Sequence, residues 1–208
     1  MGSIPTHAGV DRIGEHDSVT TPLYSNTTVP TPTCDQLAAR FADTFSSGRK
    51  GEIYERLGSK SGFELECALT GLHACGDAMV FGSGMAAISH AVITLVQPGE
   101  NVVVHRSLYG CTDDYFRVDL PRLGIESRFV DLRNPIVLRQ AVDERTRAVF
   151  FETPSNPTLD LINIAAVAGE VNGRCPVIVD NTFASPLGQN PFDQGAHLVV
   201  YSLTKSIG

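Results

Sequence analysis

Three short stretches of this 208-residue chain carry residue types that suit chemistry: SLTKS at 202–206, PVIVD at 176–180 and VFGSGMAAISHAV at 80–92. Lys205 follows the apolar run HLVVY and stands between hydroxyl residues. A lysine amine desolvated at such a place has a lowered pKa and suits Schiff-base formation, whereas a lysine at a strand end that snorkels to water carries no chemistry. Asp180 closes an apolar run, and a carboxylate at the floor of a cleft costs several kcal/mol unless a cation meets it. An arginine would serve, and so would a protonated pyridine nitrogen.

The third stretch answers to a phosphate. A strand that runs through Gly-Ser-Gly into a helix aims the backbone N–H groups of Gly84 and Met85 at the positive helix end, with Ser83 an ordinary N-cap on either reading. Ser202 and Thr204, beside Lys205, add hydroxyl donors. An amine for an aldehyde, a carboxylate for a ring nitrogen and a phosphate cradle are together the anchors that pyridoxal phosphate requires. Tyr109, in HRSLYGCT, either packs or lies flat on such a ring. The internal rival is a dinucleotide fold, because GSGMAA formally matches G-x-G-x-x-A; against it, the next strand ends in His105 and Arg106 where an acidic residue is expected. A nonenzymatic oligomerisation protein would explain an apolar core but leaves the lysine and the strand-end aspartate without a role.

Positioning these groups takes an open sheet. From residue 78 onward, AMVF (78–81), NVVVH (101–105), ESRFVD (126–131), RAVFFE (147–152), PVIVD (176–180) and HLVVYS (197–202) alternate with helical stretches, clearest at AAISHAVITLV (86–96) and LINIAAVAGEV (161–171). Strands that are apolar on both faces and separated by helices predict an α/β fold with a mostly parallel sheet flanked by helices. Ligands of such sheets bind beyond the carboxyl ends of the strands, and polar groups follow nearly every predicted strand here. Upstream, VTTPLYSNTTVPTPT (19–33) reads as an extended, Pro-interrupted arm, followed by predicted helices at 35–45 and 63–75. In the first of these Leu37, Ala38, Phe41, Ala42 and Phe45 recur at helical spacing; in the second Leu65, Leu69 and Leu72 face a core. The expected division is an arm with a short helix over 1–60 and a large cofactor-binding domain over 61–208.

Composition excludes several classes. Hydrophobic residues make up 42%, enough for a sizeable core, and 16 Lys and Arg against 23 Asp and Glu give a net charge of −7 without a basic run, so nucleic acid and anionic membranes are poor partners. No apolar run approaches membrane-spanning length and no signal-peptide pattern opens the chain, which predicts a cytoplasmic protein. The five cysteines form no CxxC pair and the histidines no H-E-x-x-H, so no metal is assigned.

In order along the chain, HAG (7–9), TTPLY (20–24), GEIYERLG (51–58), FGSGMAAI (81–88), SLYGCT (107–112), FETPSNPTLDL (151–161), VDNTFASP (179–186) and SLTK (202–205) resemble the pyridoxal-phosphate enzymes of cysteine and methionine metabolism, the trans-sulfuration family. That resemblance implies an aspartate-aminotransferase-like fold, also termed fold type I, with pyridoxal 5'-phosphate as cofactor. It implies that Lys205 is the cofactor lysine, Asp180 the partner of the ring nitrogen and Tyr109 the stacking residue that also assists proton movement. Gly84, Met85, Ser202 and Thr204 become phosphate ligands. Tyr54 and Arg56 reach from one subunit to the phosphate of its neighbour, in a homodimer with shared sites and a homotetramer overall. Asn156 lies by the ring oxygen, and Glu152 in the site wall. The expected activity is carbon–sulfur chemistry at the γ-carbon of a small methionine- or homoserine-type amino acid. Cys111, after Tyr-Gly, is similar to methionine gamma-lyases and favours elimination to thiol, 2-oxo acid and ammonia. The alternatives are replacement, as in O-acylhomoserine sulfhydrylase or cystathionine gamma-synthase, and the elimination of a cystathionine gamma-lyase. Lys60-Ser61-Gly62 and Ser206 depart from the family pattern. The family also continues into a C-terminal domain that this chain lacks, so the 208 residues are expected to be an N-terminal part, inactive by itself.

Overall fold

In the computed structural model, which describes residues 21–46, 53–73 and 75–207, chain contacts gather into two units, Met1–Val80 and Phe81–Gly208. Contacts thus group the helix that begins at Lys60 with the N-terminal segment, whereas the sequence assigns it to the large domain. The HAG segment, the opening of the arm, the start of GEIYERLG and Gly208 lie outside the described residues.

In the N-terminal unit the arm is extended, as its prolines dictate, and is tied down at Thr28, which forms an antiparallel bridge with Tyr54. Val29 N–H donates to the Ile53 carbonyl at 3.1 Å and Glu55 N–H to that of Thr27 at 2.9 Å. Further along, Tyr24 N–H donates to Ser61 Oγ at 2.8 Å, and the Lys60 ammonium lies 4.8 Å from the centre of the Tyr24 ring. Helices α1 (Cys34–Ser46) and α2 (Lys60–His73) cover the two predicted regions. On α1, Leu37 and Phe41 are exposed one turn apart, while Leu65, Leu69 and Leu72 of α2 are only half-buried.

The second unit is a three-layer sandwich. Helix α3 (Gly84–Leu95) leads into β1 (Asn101–His105), followed by α4 (Gly110–Asp114), a wide helical turn over Tyr115–Asp119, and α5 (Leu120–Arg122). Then come β2 (Glu126–Val130), α6 (Pro135–Ala141), β3 (Thr146–Glu152), α7 (Ile164–Val171), β4 (Val177–Asp180), α8 (Ser185–Gly188), β5 (Leu198–Val200) and α9 (Leu203–Ser206). All pairings are parallel, in the order β2-β1-β3-β4-β5. The predicted α/β fold with a parallel sheet is therefore present.

Alternation along each strand explains the two cores. Val102, Val104, Phe150 and Ile178 face α3 and the Gly110–Arg122 helical stretch, burying Ile88, Val92, Phe116 and Leu120 with them. Val103, Val149, Phe151, Val177 and Val179 face α6 and α7, with Leu138, Ile164, Val167 and Val171. Each fully buried large side chain contributes about 1.5–3 kcal/mol relative to exposure. Asn163 sets the start of α7, its side chain accepting from Ala166 N–H at 2.9 Å, so the helix begins three residues after Leu161 rather than at it.

One predicted strand is corrected. Residues 78–81 form no strand, because local side chains capture the backbone N–H groups: Asp77 Oδ1 accepts from Ala78 at 2.8 Å and Glu66 Oε1 from Val80 at 2.9 Å. The helical stretch 110–122, absent from the sequence reading, is interrupted by the wide turn and by Pro121, which blur its period.

Gly195 turns the chain toward β5 with φ +94°, and a Cβ there would lie 2.9 Å from Ala168 Cβ on α7. Gly195→Ala is expected to lower the unfolding free energy by about 1–3 kcal/mol in urea titrations. Gly188→Ala, whose nearest neighbour would be 3.7 Å away, is the near-neutral control.

Candidate active site

Strand order reverses direction between β1 and β3, and the crevice beyond the carboxyl ends of an open parallel sheet opens at such a point. Glu152 ends β3 there. Parallel pairing sets it directly opposite Asp180, the last residue of β4. Both stand two residues beyond core members of the α3 face, Phe150 and Ile178, so both carboxyl groups project toward that face.

Among the described residues neither carboxyl is in an ion pair. Asp180 is recessed; Thr182 N–H donates to its Oδ1 at 2.9 Å, and among the described residues no ion pair engages it. Burial pushes its pKa up, opposed by the hydrogen bonds from Thr182. Glu152 is 5% exposed, and burial raises its pKa to about 7; the Asp180 charge adds to that rise, while bonds from the Tyr109 and Asn156 N–H groups oppose it. Those bonds are 2.8 Å from Tyr109 to Oε1 and 3.2 Å from Asn156 to Oε2. Three of the sequence-predicted residues, Tyr109, Glu152 and Asn156, are thereby brought together, with Asp180 alongside.

The amine-bearing segment sits next to the acid. Thr182 Oγ1 accepts from Ser202 N–H at 2.9 Å, and the Ser202 carbonyl accepts from Lys205 N–H at 3.1 Å. Together with the Thr182–Asp180 bond these form a chain of hydrogen bonds from the Asp180 carboxyl, through the Thr182 hydroxyl, to the Lys205 backbone. The phosphate candidates converge as well: a Cβ on Gly84 would lie 3.2 Å from Ser202 Cβ, tighter than an ordinary contact, so glycine eases the close approach of the first turn of α3 to the loop after β5. Ser83 caps α3 by accepting from Ala86 N–H at 3.0 Å, while the first-turn N–H groups of Gly84 and Met85 lack intrahelical acceptors.

The sequence leaves Lys205 either desolvated or reaching water, and the structure shows the second. The side chain is exposed, because α9 begins at Leu203 and lifts it off the apolar run that precedes it. Thr204 is exposed too. Tyr109 and Cys111 are exposed, with the thiol 3.5 Å from the phenolic oxygen. The Cys111 side chain, ordinarily the more acidic of the two, holds the Tyr109 phenol above its usual pKa. His105 lies elsewhere: it is fully buried in the opposite face of the sheet, its Nδ1 accepting from Leu132 N–H at 3.2 Å, and burial lowers its pKa. Tyr54 and Arg56 belong to the N-terminal unit, both exposed, with the guanidinium 5.0 Å over the Tyr54 ring.

Thr182 was not singled out in the sequence, although it bonds both Asp180 and Ser202. In the loop after β3 the sequence points to Asn156 but not to the hydroxyl contacts beside it: Ser107 Oγ meets Thr158 Oγ1 at 2.8 Å, and Thr158 meets Ser155 Oγ at the same distance. DNT and PSNP were the available signals, but the partners are set only by the sheet.

A cradle that a Cβ would fill and a recessed carboxyl without a cation fit an anionic group and a cationic ring at the two ends of one ligand. Such a site on a parallel sheet defines an α/β enzyme that binds a phosphorylated, ring-bearing cofactor. Residues 3–208 match the family described as Cys/Met metabolism PLP-dependent enzyme. The chain belongs to that family, its fold is the type I architecture of pyridoxal-phosphate enzymes, and its cofactor is pyridoxal 5'-phosphate, which sets aside the dinucleotide reading of GSGMAA. It is 36% identical to L-methionine gamma-lyase of Fusobacterium nucleatum over 100% of this chain and 52% of that protein. It is 37% identical to O-acetyl-L-homoserine sulfhydrylase of Leptospira meyeri over 99% of this chain and 46% of that one. A Campylobacter jejuni structure assigned to an O-acetylhomoserine (thiol)-lyase and containing N'-pyridoxyl-lysine-5'-monophosphate superposes with a TM-score of 0.86 at 30% identity, covering 97% of this chain and 49% of that one. The chain thus spans about half the length of the relatives it matches. Chemistry on sulfur amino acids is common to these names; elimination and replacement are not separated by them.

The raised pKa of Asp180 has a definite sign. Below the ordinary carboxylate range both folded and unfolded chains are protonated there and nothing is lost; as pH rises through the raised folded value, the native state loses stability relative to the unfolded chain. Asp180→Asn retains an acceptor for Thr182 and cannot ionise. Its cofactor-free form is expected to melt a few degrees above wild type near pH 8 and at the same temperature near pH 4, in thermal melts followed by circular dichroism. Equal melting temperatures near pH 8 would refute a buried charge at this position.

Proposed function

We propose that the protein catalyses pyridoxal-phosphate-dependent replacement at the γ-carbon of a homoserine-type amino acid, a thiol displacing the acyl group of an O-acylhomoserine. The observation that carries the cofactor half is Asp180, a recessed carboxyl without a cation, linked through Thr182 and Ser202 to the segment bearing Lys205. Replacement is supported by the sulfhydrylase relative and by the superposition on the Campylobacter enzyme. A second reading, γ-elimination from methionine, is favoured by Cys111 beside Tyr109 and by the gamma-lyase relative.

Bound pyridoxal phosphate supplies an electron sink for the pair left at the substrate Cα. Asp180 keeps the ring nitrogen protonated. The exposed amine of Lys205 attaches the cofactor, takes the Cα proton and returns it. The N–H groups of Gly84 and Met85 with the hydroxyls of Ser202 and Thr204 hold the phosphate, joined by Tyr54 and Arg56 of a neighbouring subunit in a homodimer or tetramer. The Arg56 fork matches phosphate oxygens. Tyr109 would stack on the ring, and its phenol, protonated at neutral pH, would be the acid for a departing thiol, whereas a departing carboxylate leaves without one. Asn156 lies toward the ring oxygen, and Cys111 shapes the side of the pocket where the γ-substituent sits.

Cofactor-supplied full-length protein is expected to show the visible absorbance of lysine-bound pyridoxal phosphate, and its Lys205→Ala variant to lose it together with turnover, by on the order of 10²–10⁴-fold or more. In that full-length protein, thiol addition to O-acetylhomoserine should exceed ammonia release from methionine, cystathionine or cysteine; the reverse order selects elimination. A folded, cofactor-supplied wild type without that absorbance would sink the assignment.

A further inference from the structure

We propose that Glu152 is a positioning residue: its carboxyl group ties the loop bearing Tyr109 to the loop bearing Asn156 and so sets the wall against which the cofactor ring is held. This rests on the cofactor reading above.

Both carboxyl oxygens are engaged. Oε1 accepts the Tyr109 N–H at 2.8 Å and Oε2 the Asn156 N–H at 3.2 Å, from a side chain only 5% exposed. A group so occupied and so covered does not present itself to substrate, which separates this role from that of a pocket-wall residue. Tyr109 leaves β1 and Asn156 leaves β3, on the two sides of the switch point. Among the described residues the other hydrogen bond joining these loops is the side-chain contact of Ser107 with Thr158, which touches neither the Tyr109 nor the Asn156 backbone. The orientation of the ring and of the amide therefore depends on one carboxyl group rather than on the sheet ladder.

Charge strengthens the arrangement when a cation arrives. Glu152 stands opposite Asp180 in register, and each anion opposes ionisation of the other. A cation held by Asp180 relieves that opposition, and an ionised Glu152 makes the stronger bonds to both N–H groups. Filling the site thus tightens the wall around whatever fills it.

Glu152→Ala removes both acceptors; Glu152→Gln keeps one acceptor oxygen and turns an NH₂ toward the other amide. In the cofactor-free protein, backbone hydrogen exchange at Tyr109 and Asn156 is expected to accelerate on the order of 10- to 100-fold in Glu152→Ala, and at one of the two amides in Glu152→Gln. The dissociation constant for pyridoxal phosphate, read by absorbance titration, should rise on the order of 10-fold or more in both variants. Thr158→Val cuts the side-chain link and serves as control: a lower melting temperature with an unchanged dissociation constant. Equal weakening of cofactor binding in Thr158→Val, or wild-type affinity in Glu152→Ala despite faster exchange, would overturn the positioning role. Should neither Glu152 variant fold, unprotected amides at Tyr109 and Asn156 in wild type would overturn it, and protected ones support it. Failure of wild type to take up pyridoxal phosphate sinks the cofactor reading instead, and the exchange measurement still decides whether the clamp exists.

Discussion

Parallel pairing of β3 with β4 forces two carboxyl groups side by side in a place where water is scarce and no cation is provided. That juxtaposition is unfavourable by itself, and burial already pushes both pKa values up. The two groups resolve it differently. Glu152 satisfies its oxygens with backbone N–H groups, which organises the loops around it; Asp180 accepts from Thr182 and, among the described residues, is in no ion pair, which suits it to a cation. A register shift of one residue in β4 would turn Asp180 into the opposite core and dismantle the arrangement, because side chains alternate with a period of two.

The sheet is a ruler for the rest of the site. Each catalytic candidate of the second unit leaves the carboxyl end of a strand or opens the first turn of α3, and the order β2-β1-β3-β4-β5 lays those exits out in a row. Gly84 closes the row at one end, where α3 and the loop after β5 approach so closely that a side chain would press on Ser202. Backbone hydrogen bonds through Thr182 and Ser202 then carry the row from the acid to the lysine segment. Precision comes from short loops on a rigid ladder, and so the active groups need few direct contacts with one another.

Much of this was legible in the chain. The five strands announced themselves as apolar runs, and Asp180 and the Lys205 segment stand at strand ends as spacing predicts, whereas the Gly-Ser-Gly turn opens α3 without the strand expected before it. What sequence could not tell is how much of each run is covered: β1 is wholly buried, while β2 and β5, with similar letters, are edge strands and partly exposed. Nor could it say that 78–81 would surrender its N–H groups to Asp77 and Glu66, since a strand needs a partner and a propensity does not name one. The letters around Lys205 suit a desolvated amine and a solvated one alike; a four-residue helix decides between them and exposes the side chain. The roles of Glu152 toward Tyr109 and Asn156 are tertiary, with acceptor and donors separated by 43 positions in one case, and no local pattern encodes them.

The same division between ladder and loop explains why relatives named for different reactions stand at nearly equal identity to this chain, 36% for a gamma-lyase and 37% for a sulfhydrylase. An electron sink serves elimination and replacement alike, so the groups that would hold it are fixed by strand register and by the crowded first turn of α3, where substitution is punished by burial or collision. Choosing the fate of the γ-carbon requires only a change in what borders the departing or entering thiol. Tyr109 and Cys111, which we propose stand at that border, are exposed, carried on a loop and on the first turn of α4, and in contact with each other through a long sulfur–oxygen approach. A methyl or thiol there alters the space beside the phenol and the proton affinity of its oxygen without disturbing either anchor. Reaction type is therefore free to vary at positions that cost little stability, while the cofactor chemistry is held by positions that cost much.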